Sequence, residues 1–330
     1  MPDSSVTLRD VFRARQGIAG IAIRTPLISS PRLSQQTGAA VYLKLENVQR
    51  TGAFKIRGAA NKLQSLTADQ RTRGVITVSS GNHGRAVAYV ARELGIGAVI
   101  CMSTRVPANK VEAIRRLGAE VVLHGDSYDE AERRAMEMQA ERELTMISPF
   151  DDPAIIAGQG TIGLEILEDL PSVDTAIVPL SGGGLLSGVA LTLKAADPSI
   201  RLVGVSMERA PVMYHSLRAG RPIEMEEEET LADALAGGIG LDNQYTFHII
   251  QEHVDETLLV TEEEIARAMA FALEEHYQVV EGGGAVALAA LMSGKVEDVG
   301  ENVVVVISGG NVDLPLLLEI AEQQMNAEAL

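Results

Sequence analysis

The residues of this 330-residue chain best placed to do chemistry lie on three strand-end segments and one lysine. Ser181-Gly182-Gly183-Gly184-Leu185-Leu186-Ser187-Gly188 follows the apolar run Thr175–Leu180 and opens a helical pattern. Glycines let backbone N–H groups close in on an anion, and a helix N-terminus adds partial positive charge. The segment therefore reads as a phosphate cup. It lacks the Lys-Ser/Thr pair of a Walker loop, and Ser187 stands where a dinucleotide fingerprint needs its third glycine. A tight turn is the bland alternative, but three successive glycines cost more backbone entropy than a turn requires.

Ser79-Ser80-Gly81-Asn82-His83-Gly84 also sits between a strand pattern and a helix pattern. Its hydroxyls, amide, imidazole and helix-start N–H groups suit a carboxylate and a polar ring substituent. A helix cap would need one such residue, not four in a row. Ser308 ends the run Val303–Ser308 and could donate one hydrogen bond into a crevice. Lys55, in Thr51-Gly52-Ala53-Phe54-Lys55-Ile56-Arg57-Gly58, falls in the first turn of a helical pattern. There the helix dipole would lower its pKa, and a neutral lysine amine can form a Schiff base. On spacing alone, a solvated surface lysine is the commoner case.

The elements that must position these residues are legible as alternation. Strand patterns cover Val41–Leu45, Gly74–Ser79, Ala98–Met102, Glu120–Leu123, Leu144–Ser148, Thr175–Leu180, Leu202–Ser206, Thr257–Val260 and Val303–Ser308. Helical patterns between them include Arg85–Leu94, Ala108–Leu117, Tyr128–Arg142, Leu185–Ala195 and Glu262–His276. Strand then helix, repeated, predicts a parallel sheet with helices on both faces. The near-continuous apolar runs fit doubly covered strands, and such sheets bind ligands at the carboxyl ends of their strands.

Composition narrows the partners. A formal net charge of −17 disfavours phosphate backbones and anionic membranes. Aromatics at 3% leave little to stack on nucleic acid. No run approaches the length of a membrane span, and the polar start MPDSSVTLRDVFRARQ lacks the apolar core of a signal peptide. The single cysteine, Cys101, closes an apolar run, which predicts a buried thiol and fits a reducing cytoplasm. The acidic run Glu224–Glu229 predicts a solvated loop.

With these segments in view, the chain resembles the fold-type II pyridoxal-phosphate enzymes, in the branch of serine/threonine dehydratases and serine racemases. Phe54-Lys55-Ile56-Arg57-Gly58-Ala59, Ser80-Gly81-Asn82-His83-Gly84, Ile156-Ala157-Gly158-Gln159-Gly160-Thr161 and Ser308-Gly309-Gly310-Asn311 stand in that family's order. The resemblance implies an α/β fold of the tryptophan synthase β-like class: an open parallel-sheet fold in two domains. Residues 1–70 and 149–330 would form a large cofactor-binding domain, and residues 71–148 a small substrate-clamping one. It implies pyridoxal 5'-phosphate as cofactor and a homodimer. Lys55 would carry the cofactor and take the α-proton. Phe54 would pack on the pyridine ring, and Asn82 would bond its 3'-oxygen. Ser181, Gly182, Gly183, Gly184 and Leu185 would hold the phosphate, and Ser308 would face the ring nitrogen. Ser79, Ser80, Gly81 and His83 would line the substrate carboxylate site, with Ser80 opposite Lys55.

A hydroxyl rather than a carboxylate at the ring nitrogen makes a weaker electron sink and favours elimination over transamination. The implied reaction is loss of water from a small β-hydroxy amino acid to give a 2-oxo acid and ammonia. Ser80 fits a two-base racemase as well as several dehydratases. Ser206, Ala210 and Val212 stand where many relatives bind a divalent cation, so no metal is expected there. Gly237–Asn243 and Glu281–Ala285 look closest to the hydroxyectoine-utilization dehydratases. Glu281 would lie near the substrate side chain, with a helix cap as the alternative. A nicotinamide oxidoreductase would need an early glycine fingerprint and an acid about twenty positions on, which the N-terminal region lacks. A non-catalytic binding protein that kept the fold is the other alternative.

Overall fold

A computed structural model describes residues 6–328. Residues 1–5 and 329–330 of the large-domain assignment lie outside the described residues.

Among the described residues, ten strands form in chain order: β1 (Leu27–Ser29), β2 (Ala40–Leu45), β3 (Val75–Val78), β4 (Ala98–Met102), β5 (Glu120–Leu123), β6 (Thr145–Met146), β7 (Thr175–Pro179), β8 (Arg201–Met207), β9 (Glu256–Val260) and β10 (Asn302–Ile307). They build two sheets, one ordered β1-β2-β10-β7-β8-β9 and the other β5-β4-β3-β6. Every pairing is parallel except β1 with β2. The protein is thus mixed α/β with parallel sheets. The antiparallel edge strand was not read from the sequence, and the expected strand Leu144–Ser148 shortens to β6.

Side chains alternate across each strand. In β10, Val303, Val305 and Ile307 enter one core with the helices Glu262–His276 and Gly282–Met292. Val304 and Val306 enter another with Pro153–Asp169 and Gly184–Ala196. The second sheet repeats the arrangement: Ile100 and Met102 pack on one side, Val99 and Cys101 on the other. Cys101 is buried, and burial pushes its thiol up to about 11. The acidic run forms a loop, mostly exposed. Among the described residues, no helix is long and apolar enough to cross a membrane.

Candidate active site

The carboxyl ends of three parallel strands carry the expected segments. Ser79–Asn82 follows β3, Ser181–Gly184 follows β7, and Ser308 follows β10. Lys55 joins them because the turn before it is stitched to the end of β10. Phe54 N donates to Ser308 O at 3.0 Å, and Ala53 bridges Gly309.

Lys55 is the first residue of the helix Lys55–Gln64. Its Nζ donates to the carbonyl of Pro149 at 2.7 Å and lies 5.2 Å from the centre of the Phe54 ring. Burial brings its amine down to about 8. Desolvation therefore lowers the pKa, where the sequence suggested the helix dipole.

This helix crosses Pro153–Asp169 at very close range. A Cβ on Gly158 would lie 2.6 Å from Arg57 O and 2.7 Å from the Cα of Gly58. Gln159 Oε1 accepts from Gly58 N at 3.2 Å. Two residues beyond the lysine, Arg57 is fully buried and bidentate to two carboxylates. It reaches Glu46 at 2.8 Å through Nε and Nη2, and Glu165 at 2.7 and 2.9 Å through Nη1 and Nη2. Lys44 Nζ adds a 2.6 Å bond to Glu165. Burial works to raise the Glu165 carboxyl, but Arg57 and Lys44 outweigh it and hold it below the usual range. The sequence reading missed this network, although Arg57, Gly158 and Gln159 stand inside the segments that carried the resemblance. Its signal was a charge two residues past Lys55 on a helix that has to be buried.

At the glycine turn, Gly183 has φ +90°, a conformation that only glycine adopts without strain. It caps the helix Gly184–Ala196, whose first residues Gly184 and Leu185 are buried. Cβ atoms on Gly182 or Gly184 would run into Phe150. Ser181 Oγ donates to Leu235 O at 2.9 Å, so its hydroxyl ties the loop to a neighbouring segment.

His83 is buried. Its Nε2 lies 3.1 Å from the carbonyl of Ile147, and a carbonyl only accepts, so Nε2 carries the proton. Burial, then the charge of Lys55, pushes the imidazole down to about 3. It is neutral near pH 7 and offers a carboxylate no positive charge. Ser79 Oγ accepts from Gly81 N at 3.3 Å. Ser308 Oγ is buried, 3.4 Å from Gly283 O. Asn82 lies beside Glu281, its Nδ2 donating to Glu281 Oε1 at 2.6 Å. Glu281 holds the N-cap position of Gly282–Met292 by backbone, yet its side chain caps nothing. Ser206 Oγ faces the sulfur of Met207 at 3.4 Å. No group of three or more potential metal-ligating side chains occurs among the described residues.

The donor set fits a phosphorylated aldehyde. It combines a bare glycine turn at a helix start, a half-buried lysine amine of lowered pKa, and an aromatic ring beside that amine. Residues 18–309 match the model of the pyridoxal-phosphate dependent enzymes. The chain belongs to that family. An L-threonine ammonia-lyase from Thermotoga maritima is 45% identical over 94% of this chain and 77% of its own length. Among solved structures, maize serine racemase superposes with a TM-score of 0.90 at 35% identity, covering 98% of this chain and 99% of its own. The processed threonine deaminase isoform 2 of Solanum lycopersicum gives 0.88 at 36% identity, covering 96% and 86%. The protein is a pyridoxal-phosphate-dependent enzyme of the threonine dehydratase-like lyases. The fold class read from the sequence stands, and so does its cofactor.

Proposed function

We propose that this enzyme eliminates water from a small β-hydroxy amino acid, threonine or serine, and releases a 2-oxo acid and ammonia. The observation that carries this is the half-buried Lys55, its amine desolvated and held beside the glycine turn in a family member similar along its length to threonine ammonia-lyases.

When bound, pyridoxal phosphate supplies an aldehyde for the substrate's amino group and an electron-poor ring that takes up charge from Cα. Lys55 would hold the cofactor and would take the α-proton of the substrate on Nζ. The N–H groups of Ser181, Gly182, Gly183, Gly184 and Leu185 would hold the phosphate. Phe54 would pack on the ring, Asn82 would meet its oxygen, and the neutral hydroxyl of Ser308 would face its nitrogen. Ser79, Ser80 and Gly81 receive the substrate carboxylate by hydrogen bonding, with His83 neutral behind them. The Lys55 ammonium gives a proton to the departing hydroxyl. The enamine set free tautomerises to an imine, and water converts it to the 2-oxo acid and ammonia.

A narrower reading places the enzyme in hydroxyectoine breakdown, acting on a hydroxylated diaminobutyrate. It rests on Gly237–Asn243 and Glu281–Ala285. We further propose that residues 71–148 clamp the substrate against the rest of the chain, that two copies pair, and that the enzyme works in a reducing cytoplasm.

The test is a panel of threonine, serine, 3-hydroxyaspartate and 3-hydroxy-2,4-diaminobutyrate, scored for ammonia and 2-oxo acid. Turnover of threonine or serine supports the general reading, and preference for the diamine supports the narrower one. A protein that takes up no pyridoxal phosphate and releases no ammonia from any of them overturns both.

A further inference from the structure

A string of side chains runs from Arg85 to Glu281 and fixes how one amide faces the crevice. Arg85 Nη1 donates to Asn311 Oδ1 at 2.8 Å. Asn311 Nδ2 donates to Thr51 O at 2.8 Å and to Asn82 Oδ1 at 2.7 Å. Asn82 Nδ2 then donates to Glu281 Oε1 at 2.6 Å.

The direction of this string follows from the chemistry of its ends. A guanidinium only donates, and a backbone carbonyl only accepts. Between Arg85 and Thr51 O, the Asn311 amide therefore has one orientation, with Nδ2 toward Asn82. Asn82 must answer with its oxygen, so its nitrogen turns to Glu281. One Asn82 N–H is then committed to the carboxyl, and the other has no acceptor among the described residues. The backbone makes room for the string. A Cβ on Gly52, at φ +76°, would lie 2.5 Å from Asn311 Oδ1, and a Cβ on Gly309 would strike Glu281 Oε1. Glu281 is buried.

We infer that Asn311 and Glu281 are positioning residues that hold Asn82 with an N–H donor, never its carbonyl, presented to the cofactor's ring oxygen. This rests on the reading that Asn82 meets that oxygen. A fixed donor favours the oxygen as an anion, and a flipped amide would set two acceptors against each other.

The decisive variant is Asn311→Asp, nearly isosteric and without a donor. It can still pair with Arg85 but sets an acceptor against the Asn82 carbonyl, so that Asn82 lies between two acceptors and its N–H is no longer fixed toward the cofactor. Holoenzyme of wild type, Asn311→Asp, Glu281→Gln and Glu281→Ala is compared by cofactor dissociation constant and by pH titration of the bound cofactor's visible absorption. Thermal melting establishes folding. Asn311→Asp should weaken cofactor binding about tenfold or more and raise the pH midpoint of the visible band by about one unit, in keeping with loss of a hydrogen bond to a charged group. Glu281→Gln keeps an acceptor and should stay near wild type, whereas Glu281→Ala should move toward Asn311→Asp. Folded Asn311→Asp with wild-type affinity and midpoint overturns the inference.

A second readout needs no cofactor. In the cofactor-free protein, the two Asn82 side-chain amide protons should exchange with water at different rates, one protected by Glu281, and Glu281→Ala should make them alike. Equal rates in the wild type overturn the inference. Failure of the wild type to take up pyridoxal phosphate would instead overturn the proposed function, with the orientation still read from these protons.

Discussion

Lys55 Nζ rests on the carbonyl oxygen of Pro149, 2.7 Å away. The contact ties the first residue of the lysine helix to the segment that leads from β6 into Pro153–Asp169. That segment meets the site twice, because Phe150 also packs on Gly182 and Gly184 of the glycine turn. Lysine and glycine turn are thus set against the same few residues. A carbonyl satisfies the amine's N–H without the charge of a carboxylate, so nothing there offsets the lowering of its pKa by desolvation.

Replacing Lys55 with Ala removes both the cofactor's attachment and the proposed base. Loss of a positioned base alone costs roughly 10²–10⁴-fold. We expect 2-oxo acid formation from threonine or serine to fall by at least about 10³-fold, with an unchanged circular dichroism spectrum. Wild-type turnover by this variant would assign the chemistry to another residue.

The amine at about 8 sets a pH dependence. Below that value Lys55 is an ammonium and cannot attack an aldehyde. Its capture of pyridoxal phosphate, trapped by borohydride, should rise about tenfold per pH unit up to about 8 and then level off. The sign for stability runs the same way. A lysine depressed from 10.5 penalises the fold fully below about 8, and the penalty fades as pH rises to 10.5. A capture rate that keeps climbing steeply to pH 10 would place the amine in water.

Much of this site was legible before any coordinates, for a physical reason. Glycine runs at strand ends and a helix-start lysine are local signals, and parallel strands announce themselves as short β-branched runs. Two of the helices that went unread lack a wet face over most of their length. Ile155 to Ile166 are all buried in Pro153–Asp169, and Gly282 to Leu291 in Gly282–Met292. With no exposed side there is no 3.6-residue alternation to find. Arg57, Glu46, Glu165 and Lys44 were invisible for a related reason. Their pairing joins residues up to 121 positions apart, and each alone looks like an ordinary surface charge. The state of His83 also needed the fold, because only the surrounding burial makes it neutral.

The close crossing of the lysine helix makes a stability contrast. Gly158→Ala puts a methyl group 2.6 Å from Arg57 O. Backbone cannot give way as a flexible side chain can. Overpacking of this kind costs about 1–3 kcal/mol or more, and it would push the helix that carries Lys55. Gly97→Ala meets nothing within 4 Å and should change stability by less than about 0.5 kcal/mol. Urea unfolding of both measures the difference. Equal stabilities would mean that the two helices do not pack this closely.

The buried charges behind Lys55 should show their coupling most clearly when one is removed. Arg57 supplies five of the hydrogen bonds that reach Glu46, Glu165 and Thr161. Arg57→Met leaves two buried carboxylates facing each other with Lys44 as the cation that remains on Glu165. Breaking such a pair by deleting one partner costs roughly 3–5 kcal/mol, much of it the penalty of the unpaired charge. The loss should therefore shrink when Glu46→Gln is added, because the double variant buries one charge fewer. Urea midpoints of the two single variants and the double variant give this coupling. Additive losses would mean that water reaches Glu46 and screens it, which its complete burial beside Arg57 argues against.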